Sequence, residues 1–252
     1  VKLSFSRSQV AFTMKKAFRV VAFALIVLPA FLLGFAWWKL QPQEQELSLP
    51  AHLVGIDSTA GRALLESAAY VADYEQLAAG FVPQSLISYC GVASAVAVLA
   101  ALGMETTQSD FFTPEASQVR SRWQVALGGM SLIDLEGLLS AHQVDVVRTH
   151  GDDVTLDEFR RVLESNLSRE GDFVLVNYQR EALGQGRVGH ISPIAAYDSA
   201  TERVLILDTA SYKYPYTWVP LDLVFAAMQE SDTATGRARG YLEVGRLATS
   251  RD

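Results

Sequence analysis

The chain has 252 residues, of which half are hydrophobic and 19% charged, a composition that excludes disorder as the dominant state and suits one ordinary domain with an appendage. Its single cysteine excludes a disulfide framework within the chain and a cysteine-based zinc site, but leaves room for one reactive thiol. The net charge of −7 argues against nucleic acid as the main partner.

That charge is unevenly spread. Residues 1–39 carry six basic residues and no acid, leaving 15 basic residues against 28 acids in the remainder. Residues 1–19 read as a basic cytoplasmic N-terminus, in which Met14-Lys15-Lys16 resembles a bacterial signal start and would make residues 1–13 an upstream extension. Val20–Trp38 follows, nineteen residues without a charge, about the length that crosses roughly 30 Å of hydrocarbon as a helix. The basic flank lies before it, so the expectation is a transmembrane signal anchor in the inner membrane with the rest of the chain in the periplasm. Bulky Phe35, Trp37 and Trp38 stand where a cleavage site would need small residues, which favours an anchor over a cleaved signal and a secreted domain.

Residues 39–49 read as a polar linker and 50–252 as the soluble domain. Ser58 opens a short helix with an apolar stripe at Leu64, Leu65 and Ala68. Cys90–Leu102, CGVASAVAVLAAL, is long and Ala-rich enough for a buried helix, stopped by Gly103. Leu132–His142 is a further amphipathic helix. Thr155 and Glu158 have capping-box spacing for a helix to about Ser168. Strands follow at Phe173–Tyr178, Gly189–Tyr197, Val204–Asp208 and Tyr241–Leu247, with a short helix at Leu221–Gln229. Helices first and strands later predict an α+β domain with an antiparallel sheet.

Some motifs are formal only. Gly184-Gln-Gly186-Arg-Val-Gly189 matches G-x-G-x-x-G, but it runs into a strand where a dinucleotide loop must open a helix. Asn166-Leu-Ser168 is a glycosylation sequon inside a predicted helix. No H-E-x-x-H or EF-hand pattern occurs, so no resident metal site is expected.

Chemistry concentrates on four residues. Cys90 lies in the first turn of its helix, where the dipole favours a thiolate. Gln84, six residues earlier, could donate to an oxyanion beside the Cys90 N–H. The alternative is an inert buried cysteine. His190 begins one strand and Asp208 ends the next. If the two strands form a hairpin, residues 189–191 face 207–209 and the carboxylate can orient the imidazole. The alternatives are a satisfied core histidine and a strand-end aspartate. His52, His142 and His150 have no comparable setting.

Gln84-x5-Cys90-Gly-Val-Ala-Ser94, Gly189-His190-Ile-Ser-Pro193-Ile-Ala-Ala-Tyr197 and Val204-Leu-Ile-Leu-Asp208-Thr-Ala-Ser-Tyr-Lys213-Tyr-Pro215-x-x-Trp218 resemble the core motifs of the phytochelatin synthases. Asp172-Phe-Val-Leu-Val-Asn177-Tyr178-x-Arg180 matches as well, and the resemblance covers roughly residues 55–230. It implies a papain-like fold in which a helical half carries the nucleophile and an antiparallel sheet half carries its partners. Cys90 would be the nucleophile, His190 the acid/base, Asp208 its orienter and Gln84 the oxyanion donor. The implied activity is that of a glutathione γ-glutamylcysteinyltransferase, cleaving the Cys–Gly bond through a thioester and passing the acyl group to water or a second glutathione. No cofactor would be held by the protein; a heavy-metal ion, cadmium or zinc, would enter as the glutathione thiolate. Asn177, Arg180, Gly189, Lys213 and Tyr214 are the residues expected to touch the substrate, with Arg180 and Lys213 meeting its carboxylates.

This sequence departs from the family at Ser211, where an arginine is usual, and lacks the Cys-rich C-terminal region of plant members. Short bacterial forms tend toward glycine removal. The expected partners are glutathione and the membrane, with a homodimer left open. Competing readings are a papain-like peptidase on other peptides and a catalytically silent, membrane-tethered binding module.

Overall fold

The computed structural model describes residues 7–247, with side chains described at 23 and from 25 onward. The chain divides into two compact units, Val1–Gln41 and Pro42–Asp252. In the first, α1 runs over Arg7–Leu40 and includes Pro29. Its described apolar side chains, among them Phe31 and Leu33, face outward, and the Lys39 ammonium lies over the rings of Phe35 and Trp38 at 5.6 and 5.2 Å. Among the described residues no helix is long and apolar enough to cross a membrane. The expected crossing lies partly outside them, at residues 20–22 and 24, as do the side chains of the basic N-terminus 1–19.

The second unit is α+β. Its helices are α2 (Thr59–Ser67), α3 (Tyr74–Ala79), α4 (Cys90–Ala101), α5 (Pro114–Val119), α6 (Arg122–Gly128), α7 (Leu132–Ser140), α8 (Leu156–Asn166) and α9 (Leu221–Gln229). Its strands are β1 (Val54–Gly55), β2 (Val144–His150), β3 (Asp172–Gln179), β4 (Gly189–Asp198), β5 (Arg203–Ile206), β6 (Thr217–Pro220) and β7 (Gly240–Arg246). They form one seven-stranded sheet in the order β1-β6-β5-β4-β3-β7-β2, and every pairing is antiparallel.

Local chemistry accounts for the main elements. Ser58 caps α2 by accepting from the Gly61 N–H. Thr155 and Glu158 form the reciprocal box that their spacing suggests. Gly103, at φ +77°, ends the Ala-rich run as a left-handed residue. Strand alternation puts Val174, Val176 and Tyr178 of β3 into one cluster with Phe159 and Leu163 of α8 and Val224 and Ala227 of α9. Such a core stabilises by about 1.5–3 kcal/mol per large buried side chain.

Two differences from the expected layout bear on the site. The strand expected to reach Asp208 ends at Ile206. Asp208 Oδ1 accepts from the Ala210 N–H at 2.8 Å, a local turn that takes the chain out of the ladder. The stretch expected as a linker is pinned over part of its length: the Gln45 and Leu47 N–H groups donate to the carbonyls of Tyr212 and Lys213, each at 3.0 Å.

Trp218 of β6 is fully buried and its Nε1–H donates to the Gly61 carbonyl at 3.0 Å, tying α2 to the sheet. Trp218→Phe leaves that carbonyl unpaired and a void beside it. It should destabilise the fold by about 2 kcal/mol or more, read from urea unfolding; an unchanged midpoint would show that the tie contributes nothing.

Candidate active site

Cys90 is the first residue of α4, and nine of the residues behind it are buried, so the helix is fixed as a rigid mount. The free N–H groups of its first turn and the helix dipole favour negative charge there. A Cβ at the next position, Gly91, would meet Met130 Sδ at 2.5 Å, so a larger residue there has to displace the Met130 side chain. Ser94 Oγ, one turn on, lies 2.8 Å from the Cys90 carbonyl and 3.1 Å from that of Ile191. That hydroxyl ties the first turn of α4 to the residue following His190.

His190 sits near the start of β4, paired across the ladder with Tyr178, whose ring meets it edge-on at 5.7 Å. Its Nε2 lies 3.0 Å from Asp208 Oδ1, with both side chains buried. The other ring nitrogen, Nδ1, is therefore the one free to serve Cys90. Burial alone would raise the Cys90 thiol, but a hydrogen bond and the charge of His190, together with the backbone N–H groups of Ile191 and Gly91, bring it below its ordinary value. The part-buried thiol is thus held toward the thiolate.

Asp208 keeps its charge for a stated reason. Burial pushes its carboxyl up, yet the charges of Arg180 and His190 and the hydrogen bonds from both hold it well below the usual carboxylate range. Arg180 was expected to meet the substrate. Its side chain is instead 3% exposed, with Nη2 donating to Asp208 Oδ1 at 2.6 Å and Nη1 to Gln185.

Gln84 is buried beside the same loop. Its N–H donates to the Thr209 carbonyl at 2.9 Å, and its side-chain Nε2 lies 3.0 and 2.9 Å from the Leu86 and Ile87 carbonyls. An oxyanion would have to exchange with one of those carbonyls. Thr209, which sequence reasoning passed over, bridges the group: its Oγ1 is 3.3 Å from Gln84 Oε1, His190 Nε2 and the Ile191 carbonyl.

A second omission is larger. Arg239, just before β7, lies flat over Gly189, where a Cβ would meet its Nη1 at 2.4 Å. Nη1 donates to Asn177 Oδ1 at 2.9 Å and is 3.8 Å from Asp232. Arg239 Nε and Asn177 Nδ2 are both buried with no partner among the described residues. Burial lowers the Arg239 pKa, and the opposing charges of Asp232 and Cys90 work against that shift. Unpaired buried donors cost free energy unless an acceptor arrives, so this corner suits a carboxylate. Asn177 and Gly189 thus lie together against Arg239. Nothing local in the sequence marks Arg239, since the sheet order brings it there.

Tyr214 is buried with its ring 5.2 Å from the Arg180 cation. Lys213 and Ser211 instead line a pocket of about 590 Å³ with Glu46, Asp57 and Phe81. His52, His142 and His150 each bond a backbone carbonyl, those of Leu183, Phe111 and Ala238, and take structural roles. Gly184–Gly189 leads into β4, not into a helix. Among the described residues no group of three or more His, Cys, Asp or Glu side chains is placed to hold a metal ion.

The family model described as phytochelatin synthase matches residues 44–241. Glutathione gamma-glutamylcysteinyltransferase 3 of Lotus japonicus is 32% identical over 65% of this chain and 36% of its own length. The enzyme of that name from Schizosaccharomyces pombe is 28% identical over 77% of this chain and 49% of its own. The chain therefore spans a third to a half of these curated relatives. Among solved structures, xylellain, a cysteine protease from Xylella fastidiosa, superposes with a TM-score of 0.39 at 9% identity, covering 81% of this chain and 92% of that one.

If His190 holds Cys90 as a thiolate, iodoacetamide should alkylate Cys90 with a midpoint pH below the ~8.5 of a free thiol. His190→Gln should return the midpoint to that value or above. Identical midpoints in the two proteins would remove His190 from the account.

Proposed function

The chain belongs to the phytochelatin synthase family, and on that premise we propose that it is a cysteine-dependent γ-glutamylcysteinyl transferase and hydrolase acting on glutathione. The observation that carries the reading is the Cys90–His190–Asp208 array, a part-buried thiol backed by a buried histidine and aspartate, with the thiol lowered and the aspartate ionised. A nucleophile on a helix N-terminus, with its histidine on an antiparallel sheet and its aspartate in the turn that follows the neighbouring strand, is the papain-like arrangement.

In this reading Cys90 Sγ attacks the cysteinyl carbonyl carbon of glutathione. The negative charge that develops on oxygen is met by the Cys90 N–H and by Gln84. Collapse breaks the C–N bond, His190 gives its proton to the departing glycine amine, and a γ-glutamylcysteinyl thioester remains. Water or the amine of a second glutathione then attacks the thioester. His190 takes up the proton, and the thiolate leaves. Water yields γ-glutamylcysteine; glutathione yields the extended peptide. A heavy-metal ion enters this scheme bound to the thiolate of the acceptor glutathione, as part of the substrate.

In this reading the acyl donor sits against Arg239 and Asn177. Arg239 Nε and Asn177 Nδ2 supply the unpaired donors for the α-carboxylate of the γ-glutamyl group, and Asp232 faces its ammonium. Lys213 stays a candidate for the glycine carboxylate from the neighbouring pocket. The uncharged run within α1 supports a tether to a membrane, with the second unit outside the cytoplasm; fractionated cells should then release the chain to detergent and not to high salt.

Free glycine measured from the full chain with glutathione, with and without cadmium, tests the reaction. Cys90→Ala should release none. Arg239→Met should lose about 10- to 100-fold in kcat/KM through a raised KM, the loss of one charge-assisted contact. Glycine release that persists in Cys90→Ala would overturn the reading.

A further inference from the structure

Arg180 is placed with unusual care for a residue with no access to solvent. It opens the turn after β3, where its N–H donates to the Val188 carbonyl at 3.0 Å and its own carbonyl accepts from Gln185 at 3.1 Å, so that residues 181–188 fold around it. The guanidinium lies 5.9 Å from the Tyr178 ring and 5.2 Å from that of Tyr214. Its anion is Asp208, at 2.6 Å with both side chains under 5% exposed. A cation at this depth is sustained only by such a partner.

Asp208 has the same need and a second obligation. The oxygen that accepts from Arg180, Oδ1, is also the one that faces His190 Nε2 at 3.0 Å and accepts from the Ala210 N–H. Three donors converging on one oxygen leave the carboxylate a single orientation. We infer that Arg180 is a positioning residue for the nucleophile: by pinning Asp208 as an oriented carboxylate, it fixes His190 through Nε2 and keeps Nδ1 turned toward Cys90. The inference rests on the thiolate chemistry proposed above and assigns Arg180 no contact with substrate.

Removing the guanidinium exposes the opposing influence. Burial is the largest effect on the Asp208 carboxyl and favours its neutral form, while the Arg180 charge is the next largest and works against it. The other titratable groups facing this pair are His190, Cys90 and the phenols of Tyr178, Tyr212 and Tyr214. None of these phenols supplies a positive charge. Without Arg180, a protonated Asp208 would offer His190 a poorer acceptor, and Cys90 would lose both an oriented imidazole and a nearby positive charge.

The test compares Arg180→Met and Arg180→Lys in the full chain. The readouts are the pH midpoint of Cys90 alkylation, the pH profile of glycine release and the melting temperature. The Met variant should move the alkylation midpoint upward by about one pH unit or more, and the acid limb of activity should follow. The Lys variant, which keeps a charge but not the fork, should fall between. Lower melting temperatures with an unchanged or lowered alkylation midpoint would make Arg180 a structural residue only and overturn the inference. If the Met variant does not fold, the Lys midpoint decides. Alkylation needs no glutathione, so an absence of glycine release in the wild type would sink the proposed substrate and still leave this assignment judged.

Discussion

One carboxylate oxygen, Oδ1 of Asp208, accepts from Arg180, His190 and the Ala210 N–H, and the site is arranged around it. Burying a carboxylate, a guanidinium and an imidazole together is costly, and such a group persists only when its members satisfy one another. Each contact also does local work. The Ala210 N–H ends the strand, the Arg180 pair keeps the charge, and the His190 contact selects which ring nitrogen meets the thiol.

The fold delivers these parts from distant stretches of chain. A hydrogen bond from the Gln84 N–H fastens the loop before α4 to Thr209, and Ser94 joins the first turn of α4 to β4 beside His190. Helix and sheet therefore meet through polar ties at the site, while the apolar cluster under α8 and α9 supports the strands from behind. The interior strand β3 has β4 on one side and β7 on the other, which brings Arg239 over Gly189 and against Asn177. The result is a cysteine whose thiol is lowered by its histidine, with the guanidinium of Arg239 held near Asn177 and Gly189 on the same sheet.

Much of this was legible in the sequence. The Ala-rich run at Cys90, the capping box at Thr155 and the β4–β5 hairpin are local signals, set by period, cap chemistry and turn residues; they place Cys90 on its helix and His190 on its strand, while Asp208 falls in the turn just past the end of β5. Short helices such as α3, α5 and α6 escaped because six or seven residues are too few to show a period. Strand β2 escaped because as an edge strand it mixes buried Val144 with exposed Val147. Arg180 and Arg239 look alike in sequence, two cations near strand ends. Only the packing separates them: one is closed over Asp208 and the other keeps an unpaired donor.

The most direct test of the central claim is to trap the covalent intermediate. The full chain is mixed with glutathione, quenched in acid and weighed intact, with Cys90→Ser beside it. The account predicts a γ-glutamylcysteinyl adduct on Cys90 that lacks the glycine mass, resists a disulfide reductant and yields to hydroxylamine. An unmodified protein, or an adduct of whole glutathione removed by the reductant, would contradict it.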